Sequence, residues 1–243
     1  MIQSDYEGSE LDATAQAHNY NRWILESIRP FLGAVIAEVG AGQGNFTREL
    51  LRTAPHRLIA IEPSAILVPK LRQTTAGIPN LDVHHARLAD LSGSLENSVD
   101  SLVYINVLEH IADDRSELEH AYRALRPGGS LCVFVPALPS LMTGFDESIG
   151  HHRRYRRPDL LHLAESSGFE VVAARYFDLL GALAWLLAFK LLRLHMSTGN
   201  VRLYDRLAVP LARVFDRILG PPVGKSLLLI ARKPEAKSPP NLP

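Results

Sequence analysis

Three glycines in five positions, Gly40-Ala41-Gly42-Gln43-Gly44, separate a short apolar run ending in an acid, Val35-Ile-Ala-Glu38, from a stretch with helical spacing, Asn45 to Leu51. No other feature restricts the fold as much. A strand that turns at once into a helix needs residues tolerant of positive φ, and glycine adopts it without a Cβ penalty. Bare backbone also lets a ligand approach closely, and the helix that follows presents unpaired N–H groups to a polar or anionic ligand. The loop lacks the Gly-Lys-Ser/Thr of a phosphate P-loop. It also fits the dinucleotide pattern Gly-x-Gly-x-x-Gly poorly, because Asn45 holds the sixth position.

The same rhythm recurs along the chain. A leading helix over Ala15–Leu32 precedes the first run. Leu58-Ile-Ala-Ile61 closes on Glu62 and is followed by helical spacing over 64–74. Leu81–His84, Asp100–Ile105 and Ser130–Pro136 are further strand candidates, with helices over 113–125 and 158–167 and a turn at Arg126-Pro-Gly-Gly129. Glu170–Tyr176 and Lys225–Ala231 complete the set. Short apolar runs alternating with helices of this kind predict an α/β doubly wound sheet, with parallel strands and crossover helices on both faces. The rhythm breaks over 177–224, a stretch of mostly helical pattern. The chain thus divides into a flexible terminus (1–14), a core (15–176), a helical insertion (177–224), a last core strand (225–232) and a disordered tail (233–243).

Composition narrows the function classes. With 47 % apolar and 21 % charged residues in 243, the chain can bury a continuous core and is neither disordered as a whole nor a disulfide scaffold. Cys132 has no internal partner, and the acidic start Met1–Asp12 is unlike a secretory leader, so a cytoplasmic setting is expected. Net charge is zero, which argues against a broad electrostatic partner such as duplex nucleic acid. The zero conceals an asymmetry: residues 1–150 hold 11 Lys/Arg against 19 Asp/Glu, net −8, and residues 151–243 hold 15 against 7, net +8.

Glu62 stands 24 residues after Glu38 at the end of the next strand, which in a doubly wound sheet places its carboxylate across the crevice from the glycine loop, within reach of ribose hydroxyls. At this point the sequence resembles the class I S-adenosylmethionine-dependent methyltransferases. The resemblance rests on Glu38-x-Gly-x-Gly-x-Gly44, Leu58-Ile-Ala-Ile-Glu62, Asp100-Ser-Leu-Val-Tyr-Ile-Asn-Val-Leu-Glu-His-Ile111 and Leu125-Arg-Pro-Gly-Gly129. It implies a Rossmann-like, seven-stranded, mostly parallel sheet whose last strand is antiparallel, and S-adenosylmethionine as cofactor. Under it, Gly40, Ala41, Gly42 and Gly44 carry the methionyl part and Glu38 orients that loop and the ammonium. Glu62 holds the ribose diol, Pro63 and Ser64 lie beside the adenosine, and Asn106 with Val107 meets the amino-acid end. Tyr20 and Trp23 on the leading helix close over the cofactor or simply pack in the core. Many members carry an acid after the third strand that accepts from the adenine amine; here the stretch is His85-Ala-Arg-Leu88, and arginine accepts no hydrogen bond. Adenine recognition then rests on the backbone at Arg87 and Leu88.

Methyl transfer to a hydroxyl needs in-line alignment and a base near neutral pKa, and histidine suits. His110 follows the fourth strand, and His151 lies in Asp146-Glu-Ser-Ile-Gly-His-His-Arg-Arg-Tyr-Arg-Arg157, after the fifth. This segment resembles one found in a methyltransferase subgroup, several of whose members accompany sugar or cell-envelope genes. His151 is the first candidate base and His110 the second, with Arg153, Arg154 and Tyr155 binding substrate. No metal is expected, since His151 and His152 lack a third ligand at the usual spacing.

The insertion contains eleven consecutive apolar residues, Leu179–Phe189, too few to span a bilayer, and an amphipathic stretch with Tyr204, Leu207, Leu211, Val214, Phe215 and Ile218 on one face. It suits a buried cap, a homodimer interface through 179–219, or peripheral membrane contact, with Trp185, Lys190, Arg193, Arg202 and Arg206 at headgroups. The sequence therefore reads as a methyltransferase for a small or amphiphilic, sugar- or lipid-linked acceptor, with oxygen the expected acceptor atom. The rivals are a nicotinamide-dependent reductase on the same fold and a non-catalytic cofactor-binding or interaction module.

Overall fold

The computed structural model describes residues 17–187 and 198–235. The strands are β1 (Val35–Val39), β2 (Arg57–Glu62), β3 (Leu81–His85), β4 (Val99–Ile105), β5 (Leu125–Pro136), β6 (Glu170–Phe177) and β7 (Ser226–Arg232). They form one sheet in the order β3-β2-β1-β4-β5-β7-β6. β1 pairs in parallel with both β2 and β4, so the strand order reverses beside it, and β7 runs antiparallel to β5 and β6. This is the Rossmann-like methyltransferase architecture that the resemblance implies. Its crevice opens outside the carboxyl ends of β1 and β4, where such sheets bind ligands.

Period-two side-chain alternation divides the core between the two faces of the sheet. Ala37, Ile59, Leu102, Tyr104, Leu131, Val133, Leu227 and Leu229 face one layer with α5 (Asp114–Ala124) and α7 (Arg157–Ser166). Ile36, Leu58, Val103, Cys132, Phe134, Leu228 and Ile230 face the other, where they meet α1 (His18–Ile28) and α2 (Asn45–Leu51). The remaining helices before α5 are α3 (Leu67–Thr74) and the short α4 (Leu88–Leu91). Strands covered on both faces are why the sequence shows unbroken apolar runs in place of alternation.

One boundary differs from expectation. Arg126–Gly129, read as a turn, belongs to β5: Val99 pairs with Leu125, and the register then shifts before Ser101 meets Ser130. Gly128, at φ +77°, gives the strand the local freedom to resume pairing. Lys233, placed in the tail by its prolines, donates from Nζ to Asn97 and to the carbonyls of Tyr122 and Leu125. The terminus 1–14, the tail beyond 235, and Lys190 and Arg193 fall outside the described residues.

The insertion leaves β6 at Phe177 and rejoins β7 at Ser226, so it hangs from the carboxyl edge. It contains α8 (Leu179–Trp185), α9 (Thr198–Leu203), a π-helical turn (Tyr204–Ala208) and α10 (Val209–Leu219), following α6 (Gly144–Ser148) and α7. Buried Asp178, in the left-handed region at φ +65°, anchors it. Its carboxylate accepts from the Gly181 N–H (2.8 Å) and the Tyr204 hydroxyl (2.7 Å), and its own N–H donates to Asp216 (2.6 Å). Asp205 accepts from the N–H groups of Asn19 and Tyr20 (3.0 and 2.9 Å) and so caps α1 from a distant part of the chain.

Candidate functional site

The glycine loop is laid over the end of β2. Gly40 and Ala41 donate to the Ile61 carbonyl (2.8 and 3.1 Å), and Gly42 donates to Glu62 Oε2 (2.7 Å). The other oxygen, Oε1, accepts from the Ser64 N–H at 2.8 Å. Gly40, Gly42 and Gly44 sit at φ +72°, +57° and +89°. A Cβ on Gly40 would lie 2.5 Å from the Val107 side chain, so Val107 acts as packing under the loop and the position admits no side chain. Burial raises the Glu62 carboxyl against the opposing pull of the Ser64 and Gly42 N–H groups. Glu38, at the end of β1, accepts from Thr47 Oγ1 (2.5 Å), and burial lifts its carboxyl from the ordinary 4.5 to about 8. An almost fully enclosed carboxyl with its proton retained near neutrality is a latent anion, ready to ionise against a cation.

Asn106, exposed at the end of β4 with φ +53°, donates its N–H to the Phe134 carbonyl (2.8 Å). Pro63 is half-buried and its carbonyl meets His85 Nε2 at 3.2 Å. Arg87 is exposed and folds back on Asp90, which accepts from its backbone N–H (2.9 Å) and its guanidinium (3.2 Å), while Leu88 is in the core. The Arg87 backbone donor is thus already engaged. Tyr20 is half-buried over the β5–β7 end. Its hydroxyl lies 3.3 Å from Ser226 Oγ, its ring meets Trp23, Phe134 and Phe177 edge-on, and Lys225 Nζ lies 4.5 Å from its centre. Trp23 is buried against Phe177.

A second cluster forms where the 3₁₀ turn Leu108–His110 meets α6 and the loop after it. The left-handed Gly150 (φ +83°) turns the chain so that His151 and His152 return to the sheet, and the His152 N–H donates to the Glu109 carbonyl (2.8 Å). His151 Nδ1 lies 3.1 Å from Asp146 Oδ1, and its Nε2 lies 3.8 Å from Glu109 Oε1. The rings of His110 and His151 meet edge-on at 4.6 Å. Burial works against ionised Asp146, but the His151 bond and Arg154 prevail and hold it at about 2. An ionised acceptor at Nδ1 favours the tautomer with its proton there and a lone pair at Nε2. Glu109 is fully buried, neither carboxylate oxygen has a hydrogen-bond partner among the described residues, and burial lifts it to about 7. Burial, with His151 adjacent, lowers His110 to about 3, so it is a neutral imidazole.

Glu109, His110 and His151 each offer one ligand atom, all within 4.8 Å of one another, a set chemically able to hold a divalent ion. The sequence reading found no third ligand because the other two lie in a different loop. It also missed Asp146 as the histidine's partner and Thr47 as Glu38's; neither spacing carries a signal without the fold.

The residues expected to clamp substrate are braced internally. Buried Arg154 donates Nε and Nη2 to Asp146 Oδ1 (2.9 and 2.6 Å) and lies over Trp185 at 4.8 Å. Tyr155 is buried and donates to Asp114 (2.8 Å), and Arg153 donates to the same carboxylate (2.7 Å) and to the Ala112 carbonyl (2.6 Å). A cavity of about 400 Å³ opens at these residues, lined by Arg153, Arg154 and Tyr155 together with Arg115, Asp159 and His162, but no glycine-loop residue borders it. Trp185, expected at headgroups, turns instead toward this loop and donates to the Leu141 carbonyl (3.2 Å).

The family profile described as "Methyltransferase domain" matches residues 37–131. The matched stretch runs from Ala37 within β1 into β5 and includes the glycine loop, Glu62, Asn106 and the Glu109–His110 pair. The chain is similar to a probable S-adenosylmethionine-dependent methyltransferase of Mycolicibacterium smegmatis, 31 % identical over 141 residues, which are 57 % of this chain and 53 % of that protein. It is 30 % identical to a tRNA 5-carboxymethoxyuridine methyltransferase of Escherichia coli over 101 residues (40 % of this chain, 38 % of that one). It is also 30 % identical to a ubiquinone biosynthesis O-methyltransferase of Xylella fastidiosa over 105 residues (43 % and 42 %). The chain spans about half or less of the length of these curated relatives. Among solved structures, a chain from the Haloferax volcanii complex of the Trm112 methyltransferase activator and a methyltransferase superposes with TM-score 0.65 at 17 % identity, covering 95 % of this chain and 98 % of that one. That likeness is one of fold.

Proposed function

We propose that this protein is an S-adenosylmethionine-dependent methyltransferase acting on the oxygen of a small or amphiphilic acceptor, sugar- or lipid-linked. The observation that carries the cofactor assignment is the buried Glu62 carboxylate, bonded to the Gly42 and Ser64 N–H groups beside a loop whose Gly40 admits no Cβ. Each carboxylate oxygen has a second lone pair, which suits the two hydroxyls of a ribose. Glu38 suits the ammonium of the amino-acid end, since a cation there favours its ionised form. When bound, S-adenosylmethionine supplies a methyl group on a sulfonium. The protein's own part is alignment, which can account for ~7–11 kcal/mol of a barrier when ideal, and proton removal. His151, held by Asp146, takes the acceptor hydroxyl's proton at Nε2; His110, the second candidate, is made too weak a base by burial. The relatives differ by their names, a tRNA 5-carboxymethoxyuridine methyltransferase in one case and a ubiquinone biosynthesis O-methyltransferase in another, so the acceptor class rests on the apolar insertion and the arginine-rich segment 146–157.

The test is isothermal titration with S-adenosylhomocysteine and with NAD, followed by labelled-methyl transfer to hydroxylated, sugar-linked and lipid-linked acceptors. S-adenosylhomocysteine should bind, and Glu62→Ala should weaken it at least ~10-fold, as expected for losing hydrogen bonds to a charged group. NAD binding in its place would establish the reductase reading, and binding without transfer to any acceptor would favour a non-catalytic module.

A further inference from the structure

The helical run 198–219 seats its polar side inward and its large apolar side outward. Asp205, Val209, Ala212 and Asp216 form the inner stripe. Asp205 accepts from the α1 N–H groups, Asp216 accepts from those of Asp178 and Leu179, and Val209 and Ala212 are buried in the cluster that holds Trp23 and Ile24 of α1. Leu203, Leu207, Leu211, Val214, Phe215 and Ile218 recur at helical spacing on the outer side and are 46–75 % exposed. Tyr204, expected on that apolar face, turns inward to Asp178. An unbroken stripe of this size on a surface helix marks an interface.

Charge identifies the occupant. Both acids of the run are committed to the inner side, whereas Arg202, Arg206, Arg213 and Arg217 are all exposed. Arg213 pairs with Glu26 of α1. A second copy docked through the same stripe would set arginine against arginine, which disfavours an isologous pairing. An anionic lipid surface accepts both features: the stripe enters the acyl boundary while the arginine stems run along it with their heads among phosphates. No described helix is long and apolar enough to cross a membrane.

We propose that α9, the π-helical turn and α10 form a peripheral docking surface for anionic membranes. The docking surface belongs to the insertion that leaves the carboxyl edge at Phe177 and returns to it at Ser226. This inference stands independently of methyl transfer.

Flotation of the full chain with phosphatidylcholine vesicles, with and without phosphatidylglycerol, tests it. The protein should float with phosphatidylglycerol vesicles, bind the neutral ones far less, and be released by salt. Leu207→Glu with Leu211→Glu, and separately Arg206→Glu with Arg217→Glu, should each reduce partitioning at least ~10-fold. Circular dichroism and S-adenosylhomocysteine affinity should stay unchanged in both. Failure to bind either vesicle, equal binding to both, or a lipid-free dimer abolished by the leucine substitutions would each overturn the proposal.

Discussion

Glu38→Gln separates the burden of burying a carboxylate from its use. In the ligand-free protein the carboxyl keeps its proton to about pH 8, against an ordinary value of 4.5. Between those values the unfolded chain has released the proton and the folded chain has not, so stability falls as pH rises through that window and levels off above it. At 1.36 kcal/mol per pH unit, the full window amounts to at most about 5 kcal/mol. The amide does not titrate and keeps an oxygen for the Thr47 hydroxyl. Urea unfolding at pH 5.5, 7 and 9 should therefore show wild type and Glu38→Gln similar at the acid end, with the variant increasingly the more stable toward pH 9. Cofactor binding should move the other way, because an ammonium favours the ionised acid: the variant should bind S-adenosylhomocysteine about 10-fold or more weakly, the range for hydrogen bonds to charged groups. Parallel pH–stability curves for the two proteins would refute the burial argument, and unchanged affinity would remove Glu38 from the ammonium.

Three further outcomes are expected. His151→Ala should lower turnover by about 10²–10⁴ with S-adenosylhomocysteine affinity intact, and unaltered turnover would remove His151 from the proton-accepting role. Chelation with EDTA should leave turnover unchanged, since His151 is read as acting through a free Nε2; loss restored by added zinc or manganese would make Glu109, His110 and His151 a metal centre. Asp205→Ala should destabilise the fold by about 1–2 kcal/mol by uncapping α1, measured by urea denaturation, and no change would show that water replaces the cap.

Position along the chain carried a good deal of this. A strand that ends at Glu38 and must turn at once can do so only through residues that accept positive φ, so Gly40, Gly42 and Gly44 announce both the turn and the bare cradle. Glu62 was legible for a related reason: parallel strands joined by helices put successive strand ends on one edge, so an acid closing the second run lies beside the loop closing the first. The bonds of Arg153, Arg154 and Tyr155 were not legible, because a charge run looks the same whether it faces solvent or a buried acid, and only the return of this loop over the sheet brought it to Asp146 and Asp114. The pairing of His151 with Asp146 and Glu109 was hidden likewise.

The outer helix marks the boundary most plainly. Helical periodicity alone established that Leu207, Leu211, Phe215 and Ile218 share a face, because side-chain direction follows from the repeat. Which way that face points was settled by tertiary contacts, as Asp205 and Asp216 bond to backbone donors of distant segments and turn the apolar side outward. Local repeat sets which residues lie together; partners far away in the chain set what they meet.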